Sequence, residues 1–298
     1  MAAASFHHEQ VCVMDACGRL GSTLVERLLQ RGYTVHAAVQ AHANSQRSQF
    51  KLKIFHADPF DYQSITDALK GCSGLFYAFE PAQDYPSYDE YMAEEEARAA
   101  HNVIEACART ETIDKVVFTS SATAIVWRDN PQSVAPNLDE RHWSDVDLCH
   151  EFKLWHALSK TVAEKTAWAL VMDRGINMVS INGGLLTGPH VSITHPYLKG
   201  AADMYEGGTL VTVDLHFLVD AHICVFEDVS SFGRYLCFDH AVTNQEDAIR
   251  LARLLTPSAP SLPPESYEDD NTMIQQRFSN KKLKKTMLDF KSEPTLED

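Results

Sequence analysis

The strongest indication of the fold lies near the N-terminus, in the residues Val11-Cys12-Val13-Met14-Asp15-Ala16-Cys17-Gly18-Arg19-Leu20-Gly21. Its first four residues are an apolar run of strand length, and apolar residues at helical spacing follow at Leu20, Leu24 and Leu28. A strand that passes through glycines into a helix directs backbone N–H groups and the positive helix end at one point. The stretch therefore predicts a turn that binds the pyrophosphate of a dinucleotide.

The glycines of this turn match two of the three positions in a G-x-x-G-x-x-G spacing. Gly18 and Gly21 are present, whereas Asp15 stands at the first position. Because a carboxylate beside a pyrophosphate repels it, Asp15 is expected to point away or to cap the helix, and we favour the cap, because an Asp oxygen accepts the unpaired N–H groups of a helix start well. We predict cofactor contacts from Gly18, Arg19, Leu20 and Gly21, and the alternative is an ordinary strand-to-helix turn without a ligand.

Strands and helices alternate outward from this turn. The predicted strands after the first are 34–39, 52–55, 75–79, 115–120 and 176–181, and the predicted helices include 62–70, 91–109 and 151–173. Such alternation favours right-handed crossovers and therefore an α/β fold with a doubly wound parallel sheet of the Rossmann type. We predict that residues 8–182 bind a dinucleotide, and that the less regular residues 183–298 form a smaller substrate lobe and tail that share the sheet.

The end of the second predicted strand bears on the type of dinucleotide. An Arg at this place commonly meets the 2′-phosphate of NADP, and an acidic residue meets the ribose of NAD. This chain has Gln40 there, which is neither. Arg19 and Arg47 are candidates for the missing cation, although each is also explained as a surface residue. We predict NADP as the cofactor, with NAD as the alternative.

The composition limits the classes of partner. A formal net charge of −15 over 298 residues argues against nucleic acid, whose binding draws on clustered Lys and Arg. Seven scattered cysteines without a C-x-x-C pair favour reduced thiols and a cytoplasmic location. We expect no membrane span or targeting segment, because the first apolar run is too short, and no metal, because the histidines lack ligand spacing. The Lys-rich run 280–285 is interpreted as a solvated helix face, and the alternative is a nuclear- or membrane-targeting signal.

Several further stretches share their order and spacing with a known family. They are Leu28-Leu29-Gln30-Arg31-Gly32-Tyr33-Thr34-Val35, Gly71-Cys72-Ser73-Gly74-Leu75-Phe76, Val116-Val117-Phe118-Thr119-Ser120-Ser121, Ser159-Lys160-x-x-Ala163-Glu164-Lys165-x-x-Trp168 and Gly233-Arg234-Tyr235-Leu236-Cys237. Over most of residues 11–255 this collinear set resembles plant cinnamoyl-CoA reductases, dihydroflavonol reductases and their relatives in the extended short-chain dehydrogenase/reductase family. The resemblance implies reduction of an aromatic, phenylpropanoid-like carbonyl compound or CoA thioester. It also places Asp58 where relatives contact the adenine, unless Asp58 is a plain loop residue.

The resemblance also implies the catalytic residues. In this family a Tyr protonates the substrate oxygen, a Lys four residues later lowers the pKa of that Tyr, and a Ser holds the carbonyl. By position the Ser is Ser121, with Ser120 as the adjacent candidate, and Lys160 is the Lys that also binds the nicotinamide ribose. The Tyr is replaced by His156, and Gly183 stands where Pro is usual in the loop beside the nicotinamide.

The exchange at His156 leaves two hypotheses open. His156 and Lys160 are four residues apart and share a helix face, so both are expected to point into the cleft. An imidazolium can donate a proton, but a neighbouring Lys disfavours that charged form. The first hypothesis is a reductase that uses Ser121, His156 and Lys160. The second, favoured by the joint departures at positions 15, 40, 156 and 183, is a catalytically silent cofactor- or ligand-binding scaffold that acts through a protein partner.

Overall fold

The computed structural model describes residues 9–39, 51–79, 88–128, 137–188, 191–256 and 274–291. Their strands are β1 (Gln10–Met14), β2 (Thr34–Val39), β3 (Leu52–His56), β4 (Gly74–Tyr77), β5 (Lys115–Ser121), β6 (Met178–Gly183), β7 (Leu185–Leu186), β8 (Val211–Val213), β9 (Gly233–Cys237) and β10 (His240–Ala241). Their helices are α1 (Arg19–Gln30), α2 (Tyr62–Leu69), α3 (Glu90–Ala108), α4 (Thr123–Val126), α5 (Val146–Glu151), α6 (Trp155–Arg174), α7 (Ala201–Glu206), α8 (Leu215–Glu227), α9 (Gln245–Leu255) and α10 (Lys281–Lys291).

Within the described ranges, seven strands form one parallel sheet in the order β3-β2-β1-β4-β5-β6-β9. Alternate residues of β1 face opposite sides of this sheet. Val11 and Val13 join the apolar cluster of α1, α8 and α10, whereas Cys12 and Met14 join that of α2, α3 and α6. Because helices cover both faces, the predicted doubly wound parallel sheet is confirmed.

The strand order reverses next to β1. The chain passes from β1 through α1 to β2 on one side, while β4 lies on the other side of β1. In open α/β sheets, ligands bind at such a reversal, outside the carboxyl ends of the strands. The strands of this sheet are parallel, so the glycine turn after β1 and Ser121 at the end of β5 lie along the same edge.

The helix predicted for 151–173 begins later than expected. α5 ends at Glu151, and a short turn precedes α6, which begins at Trp155. In that turn Lys153 has a φ of 54°, in the left-handed region, and the Leu154 N–H donates to the Cys149 carbonyl at 2.7 Å. The predicted start was wrong because a Lys in the left-handed conformation gives no sequence signal. His156 and Lys160 therefore lie in the first two turns of α6.

A smaller sheet follows β6. Its described strands run in the order β10-β8-β7, with β7 parallel and β10 antiparallel to β8. Leu185 and Val211 from these strands pack with Met204 of α7 and Leu251 of α9. Residues 257–273 lie outside the described residues. In the part of the chain that is described, no helix is both long and apolar enough to cross a membrane.

Candidate active site

The turn after β1 is held together by its own backbone. Asp15 has a φ of 62°, a left-handed conformation that Asp tolerates better than most residues and that glycine adopts freely. Its carbonyl accepts the Gly18 N–H at 3.1 Å, and the Ala16 N–H donates to the Ala38 carbonyl of β2 at 2.9 Å. The positive φ explains why glycine is usual at the first position of the G-x-x-G-x-x-G spacing.

The prediction that Asp15 caps the first helix was wrong. α1 begins at Arg19 with Gly18 as its N-cap, and no side chain among the described residues caps it. Asp15 lies earlier in the turn, where its backbone carbonyl, and not a capping carboxylate, accepts the Gly18 N–H. A helix start without a side-chain cap presents the N–H groups of its first turn to an anionic ligand.

Gly21 allows the helix to pack closely on the turn. A Cβ at this position would lie 2.1 Å from the Asp15 carbonyl oxygen and 2.9 Å from the Ala16 Cα. Both distances are too short for any side chain, so glycine is required here. The neighbouring Leu20 is buried, with 4% of its surface exposed, and it also forms part of the wall of the cleft described below.

Arg19 connects the turn to the segment after β7. Its guanidinium donates to the Thr187 carbonyl at 2.6 Å and lies against Gly188, where an added Cβ would be 2.2 Å from Nη2. This segment is on the β6 side of β1, whereas β2 is on the other side. A contact between Arg19 and a 2′-phosphate stays a prediction. Gln40 and Arg47, the other positions considered for that contact, lie outside the described residues.

A small crevice extends from the turn toward Asp58. It is lined by Met14, Asp15, Ala38, Ala57, Pro59, Tyr77, Ala78 and Phe79. Asp58 lies between two residues of this lining, is exposed, and accepts the Phe60 N–H at Oδ1 at 2.9 Å. Asp58 thus lies next to a crevice at the ends of β1, β2, β3 and β4. Its contact with an adenine stays a prediction.

A cleft of about 960 Å³ opens at the carboxyl edge of the sheet. Arg19 and Leu20 line it at the glycine turn, and Ser121, His156 and Lys160 line it as well. This volume is typical of cofactor and small-molecule sites. The described lining contains no Asp or Glu, although the chain carries a net charge of −15. The cleft therefore suits an anionic ligand, and no group of three His, Cys, Asp or Glu in the described ranges is placed to hold a metal ion.

The two adjacent serines at the end of β5 have different partners. Ser120 Oγ donates to Glu164 Oε2 at 2.7 Å, and Glu164 is fully buried in an ion pair with Arg234. Ser121 Oγ instead accepts the Thr123 N–H at 3.2 Å and the Thr123 hydroxyl at 3.0 Å. Ser120 thus belongs to a buried structural network, while Ser121 belongs to the group that includes His156.

His156 is a neutral imidazole in this environment. Its ring is largely buried, and its Nδ1 lies 3.1 Å from Thr123 Oγ1. Burial, the Lys160 ammonium and the nearby His195 together hold the pKa of His156 well below its ordinary value. The neutral imidazole is therefore the favoured form of His156, and a charged imidazolium acid is disfavoured there.

Lys160 forms a buried ion pair that the sequence analysis did not predict. Its Nζ lies 2.6 Å from Glu96 Oε1 and 3.2 Å from the Phe79 carbonyl, just beyond the end of β4. The Lys160 and Glu96 side chains are only 11% and 2% exposed, and the Ser159 hydroxyl donates to the other Glu96 oxygen. The Lys160 charge is therefore compensated inside the protein and fixed next to the carboxyl edge of the sheet.

Several rings surround His156. The ring centroids of Tyr88, Tyr197 and His195 lie 5.2, 5.9 and 6.2 Å from that of His156. The Tyr197 hydroxyl donates to the Val211 carbonyl at 3.2 Å, and burial raises the pKa of this phenol. Tyr197 is therefore held by the backbone and does not take the place of the missing Tyr.

Glu96 and Thr123 were missed by the sequence analysis. Glu96 lies on the same face of α3 as Ala100 and Val103, four and seven residues later, so a carboxylate on an apolar helix face was a usable signal. Thr123 offered no signal beyond a hydroxyl two residues after Ser121. The structure brings Glu96 to Lys160 and Thr123 to His156, across wide gaps in sequence.

Comparison with known proteins identifies the family. The family model described as the NAD dependent epimerase/dehydratase family matches residues 11–214. Cinnamoyl-CoA reductase 1 of Petunia hybrida is 34% identical, over 94% of this chain and 87% of that protein. Dihydroflavonol 4-reductase of Gerbera hybrida is 32% identical, over 94% of this chain and 81% of that protein. The solved structure of vestitone reductase from alfalfa (Medicago sativa) is similar with a TM-score of 0.70 and 26% identity, over 97% of this chain and 94% of that chain.

These matches run collinearly through the glycine turn, Ser121 and Lys160, and they extend over nearly the whole chain. The fold agrees with that of the matched solved structure. The chain therefore belongs to the NAD dependent epimerase/dehydratase family, within the group of cinnamoyl-CoA reductases and their dihydroflavonol reductase-like relatives.

Proposed function

We propose that this chain is a nicotinamide-dependent reductase of an aromatic, phenylpropanoid-like carbonyl compound or CoA thioester, with His156 in place of the family Tyr. The observation that carries this proposal is that Ser121, His156 and Lys160 line one cleft that ends at the glycine turn. The substrate class follows from the cinnamoyl-CoA reductases among its relatives. The proposal assigns cofactor binding to residues 8–182 and substrate binding to residues 183–298, in the cytoplasm, in keeping with seven free cysteines.

The residues of the turn fit a dinucleotide. The left-handed Asp15 and the closely packed Gly21 keep the turn compact, and the first turn of α1 has no side-chain cap that would compete with a pyrophosphate. We favour NADP over NAD because Gln40, which follows β2, brings no carboxylate that would repel a 2′-phosphate. The proposed cofactor contacts are Gly18, Arg19, Leu20, Gly21, Gln40, Asp58 and Lys160.

The chain's own side chains orient the reaction. The bound nicotinamide supplies the hydride that reduces the substrate carbonyl carbon. Ser121 already accepts two hydrogen bonds from Thr123, so its own hydrogen is left for another acceptor, and we assign this acceptor as the substrate oxygen. A preorganised donor at this place stabilises the negative charge that grows on the oxygen. Lys160 positions the nicotinamide ribose while Glu96 balances its charge.

The silent scaffold is the second candidate, and a specific observation favours it. In the family mechanism a Lys lowers the pKa of the catalytic Tyr. Here Glu96 takes up the Lys160 charge and a neutral His156 replaces the Tyr, so direct proton donation by a single acid is absent from the described site. Loss of such an acid typically costs about 10²–10⁴-fold in rate. A chain with this site either turns over slowly or binds a ligand and acts through a protein partner.

Replacement of His156 by Tyr separates these two candidates. The purified 298-residue chain is assayed for oxidation of NADPH and of NADH with a panel of cinnamaldehydes and cinnamoyl-CoA thioesters. We expect slow turnover by the wild type and a gain of up to about 10²-fold in H156Y, because direct acid catalysis is restored. The matched control is H150Y, at an exposed histidine of α5, which should leave the rate unchanged. Absence of turnover by both wild type and H156Y, with either coenzyme, would favour the scaffold.

A further inference from the structure

Three hydroxyl and imidazole groups form a continuous chain between Ser121 and His156. Ser121 Oγ lies 3.0 Å from Thr123 Oγ1, which in turn lies 3.1 Å from His156 Nδ1. The exposed fractions of Ser121, Thr123 and His156 are 5%, 2% and 9%. These three hydrogen-bonded groups are therefore shielded from solvent except at the cleft. The two outer groups, Ser121 and His156, both line that cleft.

The directions of these bonds determine where His156 carries its hydrogen. A hydroxyl donates only one hydrogen, and that of Thr123 is donated to Ser121. Thr123 Oγ1 must then act as the acceptor toward His156, so Nδ1 is the protonated ring nitrogen. Because the imidazole is neutral, Nε2 has no hydrogen and is an acceptor.

We propose that Thr123 is a positioning residue that joins His156 and Ser121 into a proton relay, an inference that rests on the proposed reductase function. A neutral imidazole cannot simply lose a proton at neutral pH. It can, however, take a proton at Nε2 while it releases one from Nδ1, with no imidazolium accumulating. The relay therefore explains how a site without the family Tyr and with a neutral His156 protonates its substrate.

The proton and electron balance is complete for one turnover with an aldehyde or ketone. With a thioester the same step gives a hemithioacetal, which then loses the thiol as its C–S bond breaks and its hydroxyl proton passes to the sulfur. A hydride from the reduced nicotinamide dinucleotide forms the new C–H bond, and the π pair of the carbonyl moves to its oxygen. That oxygen takes the Ser121 hydrogen, Ser121 takes the Thr123 hydrogen, and Thr123 takes the Nδ1 hydrogen of His156. Solvent in the cleft supplies one proton to Nε2, so the net change is one hydride and one proton added to the carbonyl. After product leaves, solvent drives the same relay in reverse and restores the starting tautomer.

The tautomer of His156 tests the relay without any turnover. In chain labelled with ¹⁵N-histidine, side-chain nitrogen shifts distinguish a protonated from an unprotonated ring nitrogen, and the signal is assigned by its loss in H156Q. We expect the wild type to carry hydrogen on Nδ1, T123S to do the same, and T123V to shift toward the Nε2-protonated form. The control T209V removes a buried hydroxyl that donates to the Met204 carbonyl and should leave His156 unchanged. A wild-type His156 protonated on Nε2 would overturn the relay.

Kinetics of the same variants complete the test. We expect T123V to lower kcat by about 10²-fold, and T123S to restore most of it, because only the hydroxyl is needed. If T123V does not fold, the conservative variant T123S still tests the relay, because it keeps the hydroxyl. If folded T123V turns over as fast as the wild type, the relay is wrong. Absence of wild-type turnover would contradict the reductase proposal. A His156 protonated on Nε2 would contradict the relay alone, so the two failures are distinguishable.

Discussion

Replacement of Glu164 by alanine is expected to lower the free energy of unfolding by about 3 to 5 kcal/mol, as removal of one partner of a buried ion pair usually does. Glu164 is fully buried and accepts Arg234 Nε at 2.8 Å and Arg234 Nη2 at 3.1 Å. Ser180 and Asn182 donate to it at 2.6 and 2.8 Å. Burial alone raises the pKa of this carboxyl, but Arg234 and the hydroxyl donors outweigh burial and lower it. The alanine would leave the Arg234 charge uncompensated among β5, β6 and β9.

Urea unfolding at neutral pH measures this loss. The matched control is E94A, an exposed glutamate of α3, which should change the free energy of unfolding by no more than about 0.5 kcal/mol. The double variant E164M with R234M should be less destabilised than the sum of its single variants, because no unpaired charge remains. A loss below about 1 kcal/mol in E164A would contradict a central role for this network.

Replacement of Ser121 by alanine is expected to lower kcat by about 10²- to 10³-fold, the usual effect of removing one donor to a developing oxyanion. Both hydrogen bonds that Ser121 Oγ accepts come from Thr123, so its own hydrogen is left for an acceptor other than Thr123. The affinity for the dinucleotide should change little, because the proposed contact is to the substrate. Steady-state rates with calorimetric coenzyme affinities check both parts.

The adjacent serine supplies the matched control. S120A removes a donor to the buried Glu164, so it should cost about 1 kcal/mol of stability while kcat falls less than about tenfold. The structure thus predicts opposite outcomes for two neighbouring residues that the sequence alone did not separate. If S120A proved the slow variant and S121A the unstable one, the assignment of the two serines would be wrong.

Much of the fold follows from short-range patterns. The apolar run before Gly18, the helical spacing after it and the repeated strand–helix alternation fix the parallel sheet, because each pattern reflects which faces are buried. The glycine at position 21 was also predictable, since the packing of α1 on the turn leaves no space for a Cβ. The positions of Ser121 and Lys160 followed from family resemblance and not from spacing.

The rest depends on backbone conformations and contacts that spacing does not encode. Lys153 and Asp15 both adopt positive φ, a state for which neither residue type is a reliable marker, so the start of α6 and the cap of α1 were predicted wrongly. The pairing of Glu96 with Lys160 joins α3 to α6 across 64 residues, and only the packed structure brings them together. Its consequence for the charge of the site was therefore not foreseen.

Calorimetric titration of the folded 298-residue chain with NADPH and NADH tests most directly whether the glycine turn and the Lys160 cleft hold a nicotinamide dinucleotide. We expect saturable binding at one site, tighter for NADPH than for NADH and weakened in K160M, which loses the proposed ribose contact. If the folded wild-type chain bound neither dinucleotide, the cleft would not be a nicotinamide coenzyme site.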